Sequence, residues 1–233
     1  MSEARARRRS GGGRAARQQS RANQTTATPA YITRKLQPFT VLDDAALAQI
    51  EENADTILAE GGIEFRDDPE ALEIFRQAGA TVEGQLVKFP RGMCREIIQQ
   101  NAPAEYTQHA RNPEKSVQIG GNNTVFAPGY GCPFVRDLDG GRRYATLEDF
   151  QNFVKLGYMS PYMHHSGGTV CEPVDVPVEM RHLDMLYSHI KYSDKAFMGS
   201  VTAPERAQDT VDMAKIVFGA EVVEKNTVVT SLI

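Results

Sequence analysis

The 233-residue sequence has few cysteines and no long apolar run. Its three cysteines, Cys94, Cys132 and Cys171, show no CxxC spacing and leave one thiol over in any disulfide pairing, so we expect reduced thiols. No stretch approaches the roughly 18 apolar residues of a membrane span, and no apolar segment follows the basic N-terminus as in a secretory signal. These absences argue against a membrane protein and a disulfide scaffold, and a cytoplasmic protein is the default expectation.

Large apolar residues are almost missing from the first 30 positions, which are rich in Arg, Ser and Gly. Residues 1–35 carry nine basic groups and one acid, a net charge of +8, and the remainder of the chain carries −12. A segment of this composition cannot bury enough surface to offset its ordering entropy, so residues 1–30 are predicted to be a disordered basic arm. Without interleaved aromatics it does not favour nucleic-acid or membrane binding; a solvated tail, or an arm that docks on an acidic neighbouring subunit, fits better. A homo-oligomer is expected for the full-length protein.

Residues 31–145 are predicted to form a helical and β-rich extension. An apolar helical periodicity begins after Asp43, and a second one begins at Pro69. From Glu105 onward the pattern changes to short extended pieces separated by Gly-rich turns, among them the turn around Asp139-Gly140.

Residues 146–233 show strands and helices in alternation. Apolar runs at residues 162–170, 196–201 and 227–233 are separated by helical stretches at about 178–192 and 205–218. This rhythm is typical of βαβ units and a parallel sheet, and three strands cannot complete one. The last run ends the sequence without a covering helix. We therefore predict an α/β fold, the first three or so strands of an incomplete TIM-type (β/α)8 barrel, within a fragment of a longer protein.

Three segments carry a resemblance to a known family: residues 120–128 (GGNNTVFAP), 134–143 (FVRDLDGGRR) and 165–168 (HSGG). They resemble the N-terminal half of the trimethylamine methyltransferase family, as does the opening MSEARARRR. Members are about twice as long and have a TIM-barrel fold. The resemblance implies methyl transfer from a methylated amine, such as trimethylamine or a quaternary amine like glycine betaine, to the cobalt of a separate corrinoid protein.

On this resemblance, cobalamin belongs to the partner and no cofactor is bound directly. The pyrrolysine of the trimethylamine enzymes lies in the C-terminal half, outside this sequence, so no catalytic residue can be assigned. A fragment of this length is expected to be inactive alone. The chemistry requires aromatic faces for a cationic amine, with a carboxylate as a further option, at the carboxyl ends of the strands.

Three residues are predicted to contact the substrate. Glu172 can balance an ammonium charge, and His165 can orient the amine or carry a proton near neutral pH. Tyr130 can form an aromatic wall if its Gly-rich loop folds over the barrel mouth. Each also has a structural alternative, as a loop acid, a core histidine or a packed aromatic residue.

Other chemistries remain open from the sequence. Zinc bound by His164, His165 and Cys171 is disfavoured because adjacent strand residues point to opposite faces, and no metal is expected. A barrel hydrolase or lyase using Glu172 and His165 as acid and base is one rival function. A fragment that acts only as a binding module is the other.

Overall fold

The structure is a computed structural model that describes residues 29–232. The predicted disordered arm, residues 1–30, lies almost wholly outside the described residues. Contacts divide the chain into two compact units, residues 34–104 and residues 29–33 with 105–232. The predicted organisation into residues 1–30, 31–145 and 146–233 stays a prediction. Within the described range, no helix is both long and apolar enough to cross a membrane.

The chain alternates between short strands and longer helices. The helices are α1 Asp44–Thr56, α2 Pro69–Ala78, α3 Met93–Asn101, α4 Leu147–Met159, α5 Val178–Tyr192, α6 Pro204–Phe218 and α7 Ala220–Lys225. The strands are β1 Ile32–Thr33, β2 Ile63–Glu64, β3 Thr81–Glu83, β4 Leu86–Lys88, β5 Glu105–Gln108, β6 Val117–Gly120, β7 Asn123–Thr124, β8 Phe134–Asp137, β9 Gly141–Tyr144, β10 Phe197–Met198 and β11 Val229–Thr230. A π-helical turn, Ile57–Gly61, extends α1, and a 3₁₀ turn, Pro113–Lys115, precedes β6.

The unit of residues 34–104 packs its helices on a small antiparallel sheet of order β2-β4-β3. Helix α2 starts where the Asp68 side chain accepts a hydrogen bond from the Ala71 amide, and it ends at Gly79, whose φ of 101° is accessible mainly to glycine. The core of the unit contains the buried Val87 and Phe89, and Phe89 meets Phe75 edge to face at 5.3 Å. The sequence predicts this helix.

The second unit contains the antiparallel pairs β1–β7, β5–β6 and β8–β9. Helix α4 begins with a capping box, in which the Thr146 hydroxyl and the Asp149 carboxylate each accept a backbone N–H of the other residue. Its buried side chains Phe150 and Val154 pack into a core with Cys171. This core fixes α4 beside the chain segment that the sequence predicts as the first barrel strand.

Strands β10 and β11 pair in parallel, with Phe197 opposite Val229, and α6 and α7 form the connection between them. The predicted strand at residues 162–170 is not a regular ladder strand. Its Ser166 amide donates to the Ala196 carbonyl at 2.8 Å, and the Met198 amide donates to the Gly167 carbonyl at 2.8 Å. The positive φ of Gly167, 85°, interrupts the ladder there. A (β/α)8 barrel remains a prediction.

Candidate functional site

The candidate site lies where the three parallel segments end. The segment of residues 164–168 ends at Gly168, β10 is followed by Gly199, and the Gly199 amide donates to the Thr230 carbonyl of β11 at 2.7 Å. Helix α5 links the first segment to the second, and α6 and α7 link the second to the third. In α/β folds, ligands bind at this carboxyl edge because the loops there lie outside the sheet and expose backbone groups.

Tyr130 lies at this edge, on the end of the first segment. A Cβ atom added to Gly168 would lie 2.7 Å from Tyr130 Cε2, so the ring rests directly against that glycine. The Gly131 amide donates to the Thr169 carbonyl at 2.7 Å and anchors the loop that carries the ring. With 44% of the residue exposed, part of the aromatic surface remains open to a ligand.

The neighbouring glycine explains why the loop fits. A Cβ atom on Gly167 would lie 3.1 Å from Pro128 Cδ, closer than most real contacts. Because Gly167 and Gly168 have no side chains, Pro128 and Tyr130 can pack directly against the backbone there. The Gly-rich loop therefore packs against the glycines at the end of the first segment, and contact of Tyr130 with substrate remains a prediction.

His165 is buried beneath the edge. The Gly167 amide donates to His165 Nδ1 at 2.9 Å, and His165 Nε2 lies 3.1 Å from Gln108 Oε1. The proton is therefore on Nε2, which donates to the Gln108 amide oxygen. Burial, and next the nearby His189, lower the pKa of His165 to about 4. A neutral ring with both nitrogens engaged fits a positioning role better than proton transfer near neutral pH.

Glu172 is paired within the protein. Its carboxylate accepts a hydrogen bond from Arg181 Nη1 at 2.6 Å, and the same guanidinium donates to the Val176 carbonyl at 3.0 Å. Arg181 lies in the first turn of α5 and is mostly buried, so it holds the carboxylate at the helix start. Because its charge is already balanced, Glu172 is a poor counter-ion for an ammonium group unless that pair opens.

Sequence reasoning missed Gln108, which is fully buried and joins all three parallel segments. Besides His165, its side chain contacts the Phe197 carbonyl at 2.8 Å and Thr230 Oγ1 at 3.4 Å. These partners are 57 to 122 residues away in sequence, so no local pattern indicates them. The side chain of Gln108 holds the three segments together and fixes the His165 ring.

The two adjacent histidines have different partners. His164 Nδ1 accepts the Phe126 amide at 3.0 Å, and its ring stacks on Phe126, while His165 contacts Gln108. Cys171 is buried, and burial raises the pKa of its thiol to about 12, which disfavours the thiolate that zinc requires. Within residues 29–232 no group of three or more His, Cys, Asp or Glu side chains is arranged to hold a metal ion.

An apolar cavity of about 480 Å³ is lined in part by Pro128, Gly129 and Cys132 of the loop that carries Tyr130. Its walls include Pro128, Phe134, Phe153 and Met163, and none of the strand ends after β10 or β11 contributes to it. Its lining has no carboxylate. The strand-end edge at Tyr130 is the candidate site that we consider further, because a partly exposed aromatic residue contacts the end of the first parallel segment there.

Gly199, at the end of β10, tests how tightly this edge is packed. We expect Gly199→Ala to destabilise the fold by about 2 kcal/mol, because the new methyl group would overlap Thr210 Cγ2 and lie 3.0 Å from Thr210 Oγ1. Thr210 cannot turn away easily, since its hydroxyl accepts from the Ser200 amide and donates toward the Ser200 and Arg206 carbonyls.

Urea unfolding of a double-mutant cycle checks this expectation. Thr210→Ser removes Cγ2 but keeps the hydroxyl, so the double variant should recover most of the lost stability. Gly129→Ala is the matched control, because no atom lies within 4 Å of its added Cβ, and it should change stability by less than about 0.5 kcal/mol. Additive effects in the cycle would contradict the proposed overlap.

The sequence was compared with protein-family models and with known proteins. The sequence model of the trimethylamine methyltransferase family matches residues 9–233. The chain is 51% identical over 199 residues, 85% of its length, to glycine betaine methyltransferase from Desulfitobacterium hafniense (strain Y51). It is 30% identical over 169 residues, 69% of its length, to proline betaine:corrinoid methyltransferase from Eubacterium limosum. These stretches cover 41% and 34% of the two relatives, so the chain spans about two fifths of their length or less.

Proposed function

Because this chain belongs to the trimethylamine methyltransferase family, we propose that the full-length protein transfers a methyl group from a quaternary amine to a corrinoid protein. Two curated relatives support the proposal by name, since one is a glycine betaine methyltransferase and the other a proline betaine:corrinoid methyltransferase. The predicted family membership is confirmed. The predicted substrate and partner agree with those names, and for this protein they are proposals.

The partly exposed Tyr130, seated against Gly168 at the strand ends, is the observation that supports this function in the structure. A quaternary ammonium group has no N–H to donate, so a protein recognises it by aromatic faces and by a dry, fitted pocket. A ring held against Gly168 is already fixed and loses little entropy on binding. We propose that Tyr130 forms one wall of the amine site.

Other residues at the strand ends hold the Tyr130 loop in position. His165 and Gln108 fix the backbone at Gly167, and Gly167-Gly168 seats the aromatic loop. When the partner protein is bound, its corrinoid supplies the acceptor for the methyl group. The part of this chain would then be to bind and orient the amine and to exclude water around it. We further propose that the three parallel segments are the first strands of a (β/α)8 barrel.

The rival hydrolase or lyase function lacks support from the geometry. Glu172 is bound to Arg181, and His165 is a buried neutral ring with both nitrogens engaged. An acid–base pair needs groups that reach the substrate and titrate near the working pH.

Substitution of Tyr130 tests the proposal. In the full-length protein as its gene encodes it, we expect Tyr130→Ala to raise the dissociation constant for glycine betaine by about 5- to 30-fold, the value of one cation–π contact. Tyr130→Phe keeps the ring and should change it by less than about 3-fold. Isothermal titration calorimetry measures both, and methyl transfer to the purified corrinoid partner measures activity.

Other outcomes separate the alternatives. If the wild-type protein binds the amine tightly and both Tyr130 variants lose affinity equally, the hydroxyl group rather than the aromatic ring contacts the substrate. Unchanged affinity in Tyr130→Ala would remove Tyr130 from the site. No amine binding and no corrinoid-dependent methyl transfer by the wild-type protein would leave only a binding module.

A further inference from the structure

A second cavity lies at the amino ends of the parallel segments, away from the strand-end site. It measures about 260 Å³, and its wall includes Tyr158 near the end of α4, His164 at the start of the first segment and Lys195 just before β10. All of its lining residues belong to the same compact unit. We call it the amino-end cavity.

His164 brings an unused hydrogen-bond donor to this cavity. Its Nδ1 accepts the Phe126 amide at 3.0 Å, so the ring proton is on Nε2. The residue is 3% exposed, and within residues 29–232 Nε2 has no hydrogen-bond partner. Buried N–H groups are nearly always paired, and an orphaned one in a native protein points to a bound water, ion or ligand.

Lys195 brings a buried positive charge without an ion pair. Its ammonium group donates to the carbonyls of Gly157, Ser160 and Met163, which uses all three of its protons. Among the described side chains, no carboxylate oxygen lies within 4.0 Å of this group. Buried charges in proteins are normally paired, so an anion in the adjoining cavity would compensate this one.

Lys115 adds a second cation to the wall. Its ammonium group donates to the Asp194 carboxylate at 2.6 Å and to the Tyr158 hydroxyl at 3.2 Å. Two of its three protons are engaged in this way, and the third can donate to a ligand. Lys115 is therefore the cation that can contact a bound anion directly.

The charges around the cavity sum to a positive potential at its inner wall. Asp194 balances one of the two lysines, and Glu114, which also lines the cavity, is exposed, so that water screens its charge. The pKa of His164 is lowered by burial and then by Lys195, and the pKa of Lys195 is lowered by burial and then by Lys115. A water molecule would satisfy the His164 donor, but it would leave the charge of Lys195 uncompensated.

The rest of the wall is largely apolar. Met159, Pro161 and Met163 line the cavity together with Tyr158. The volume is slightly below the range of about 300–1,000 Å³ that is typical of pockets for larger ligands. An anion with a short apolar part fits this combination of size, charge and apolar surface better than a bare inorganic ion does.

We propose that the amino-end cavity binds a small organic carboxylate. Its oxygens would accept hydrogen bonds from the Lys115 ammonium group and from His164 Nε2, and its carbon chain would pack against Met159 and Met163. Lys195 would stabilise the negative charge through its field, without a direct hydrogen bond. This site goes beyond the proposed methyl transfer, because none of its residues belongs to the strand-end site.

Isothermal titration calorimetry of the full-length protein with sodium butyrate tests the proposal, at pH 7.5 and constant ionic strength in chloride. Butyrate should bind saturably at one site per chain. Butyramide has nearly the same shape without the charge, so it should bind about ten-fold more weakly or worse. Tighter binding of inorganic phosphate than of butyrate would overturn the assignment to an organic carboxylate.

Substitutions locate the binding in this cavity. Lys115→Met should raise the dissociation constant for butyrate about ten-fold or more, while Lys115→Arg keeps the charge and should stay within about three-fold. His164→Asn keeps an acceptor for the Phe126 amide but removes Nε2–H, and it should raise the constant about five-fold. Lys191→Met is the matched control, because it removes the same charge from an exposed position outside the cavity, and it should change the constant by less than about two-fold.

Three results would overturn the proposal. Without saturable butyrate binding to the full-length protein, the cavity would be assigned to a group of the protein itself. Equal binding of butyrate and butyramide would show that no charge is recognised. Binding that is unaffected by both Lys115→Met and His164→Asn, in variants that circular dichroism shows to be folded, would place butyrate elsewhere. None of these results depends on whether Tyr130 contacts the amine.

Discussion

Replacing Lys195 with methionine is expected to destabilise the protein by about 3 kcal/mol. This lysine is almost completely buried, and its ammonium group donates to the Met163 carbonyl at 2.6 Å, the Gly157 carbonyl at 2.9 Å and the Ser160 carbonyl at 3.1 Å. Gly157 lies in the last turn of α4, where the partial negative charge of the helix favours a cation.

Two effects oppose each other in this substitution. Burial lowers the pKa of Lys195, and the neighbouring Lys115 lowers it further. The charged form of Lys195 is therefore less stable in the folded protein than in water. Methionine removes that penalty and keeps most of the volume, but it also removes the donor of three carbonyl groups. The unsatisfied acceptors should dominate, because each buried one costs about 1 kcal/mol or more.

Urea unfolding at pH 7.5 measures the effect. Lys191→Met is the matched control, since Lys191 is exposed in the last turn of α5 and its Nζ lies 5.4 and 5.3 Å from the centroids of the Tyr187 and Tyr192 rings. It should change the free energy of unfolding by less than about 0.5 kcal/mol. A loss below about 1 kcal/mol for Lys195→Met would mean that the three carbonyls do not depend on this donor.

The stability of the protein is expected to fall steeply between pH 6.5 and pH 4. His165 and His189 are buried, and burial lowers the pKa of each ring to about 4 from an ordinary value of 6.5. The unfolded chain therefore binds more protons than the folded one in this window, so stability rises with pH through it and is fully present above pH 7. A shift of this size corresponds to about 3 kcal/mol per ring at most.

The hydrogen bonds explain why the rings stay neutral. His189 Nε2 donates to the Gly168 carbonyl at 2.7 Å, and its Nδ1 accepts the Ser166 hydroxyl at 2.7 Å. A second proton on His189 would require the Ser166 hydroxyl to turn from donor to acceptor, and a second proton on His165 would displace the Gly167 amide, which can only donate. Protonation thus breaks contacts at the end of the first parallel segment.

Unfolding free energies at pH 7.5, 6.5, 5.5 and 4.5 check the window. His165→Gln and His189→Gln should each reduce the slope of the free energy of unfolding against pH. The pKa of His164 is also lowered, by burial and then by Lys195, so that ring adds in the same direction. The pKa of Asp149 is held far below its usual range, chiefly by Arg143, so its stabilisation persists to lower pH. A flat profile from pH 7.5 to 4.5 would contradict the expectation.

Local patterns in the sequence predicted much of the secondary structure. The helix predicted at residues 178–192 is observed as Val178–Tyr192. Such elements are encoded within a few residues by apolar spacing and by caps. The strand predicted at residues 162–170 is irregular, because the conformation of Gly167 depends on what packs against it.

The candidate site was only partly accessible from the sequence. Tyr130 and His165 were identified from residue type and from the family resemblance, but their partners were not. Gln108 and His189 are linked to the first parallel segment by hydrogen bonds across 57 and 21 to 23 residues. Glu172 looked free in the sequence, and the structure pairs it with Arg181. An isolated carboxylate and a paired one cannot be distinguished before the chain is folded.

The sequence alone determined the family, the alternation of strands and helices and the distribution of charge, because these follow from local composition and from similarity along the chain. Only the tertiary structure decided that Tyr130 rests on Gly168 and that the buried histidines are neutral. These features depend on contacts between residues far apart in the sequence, and on the burial that such contacts create.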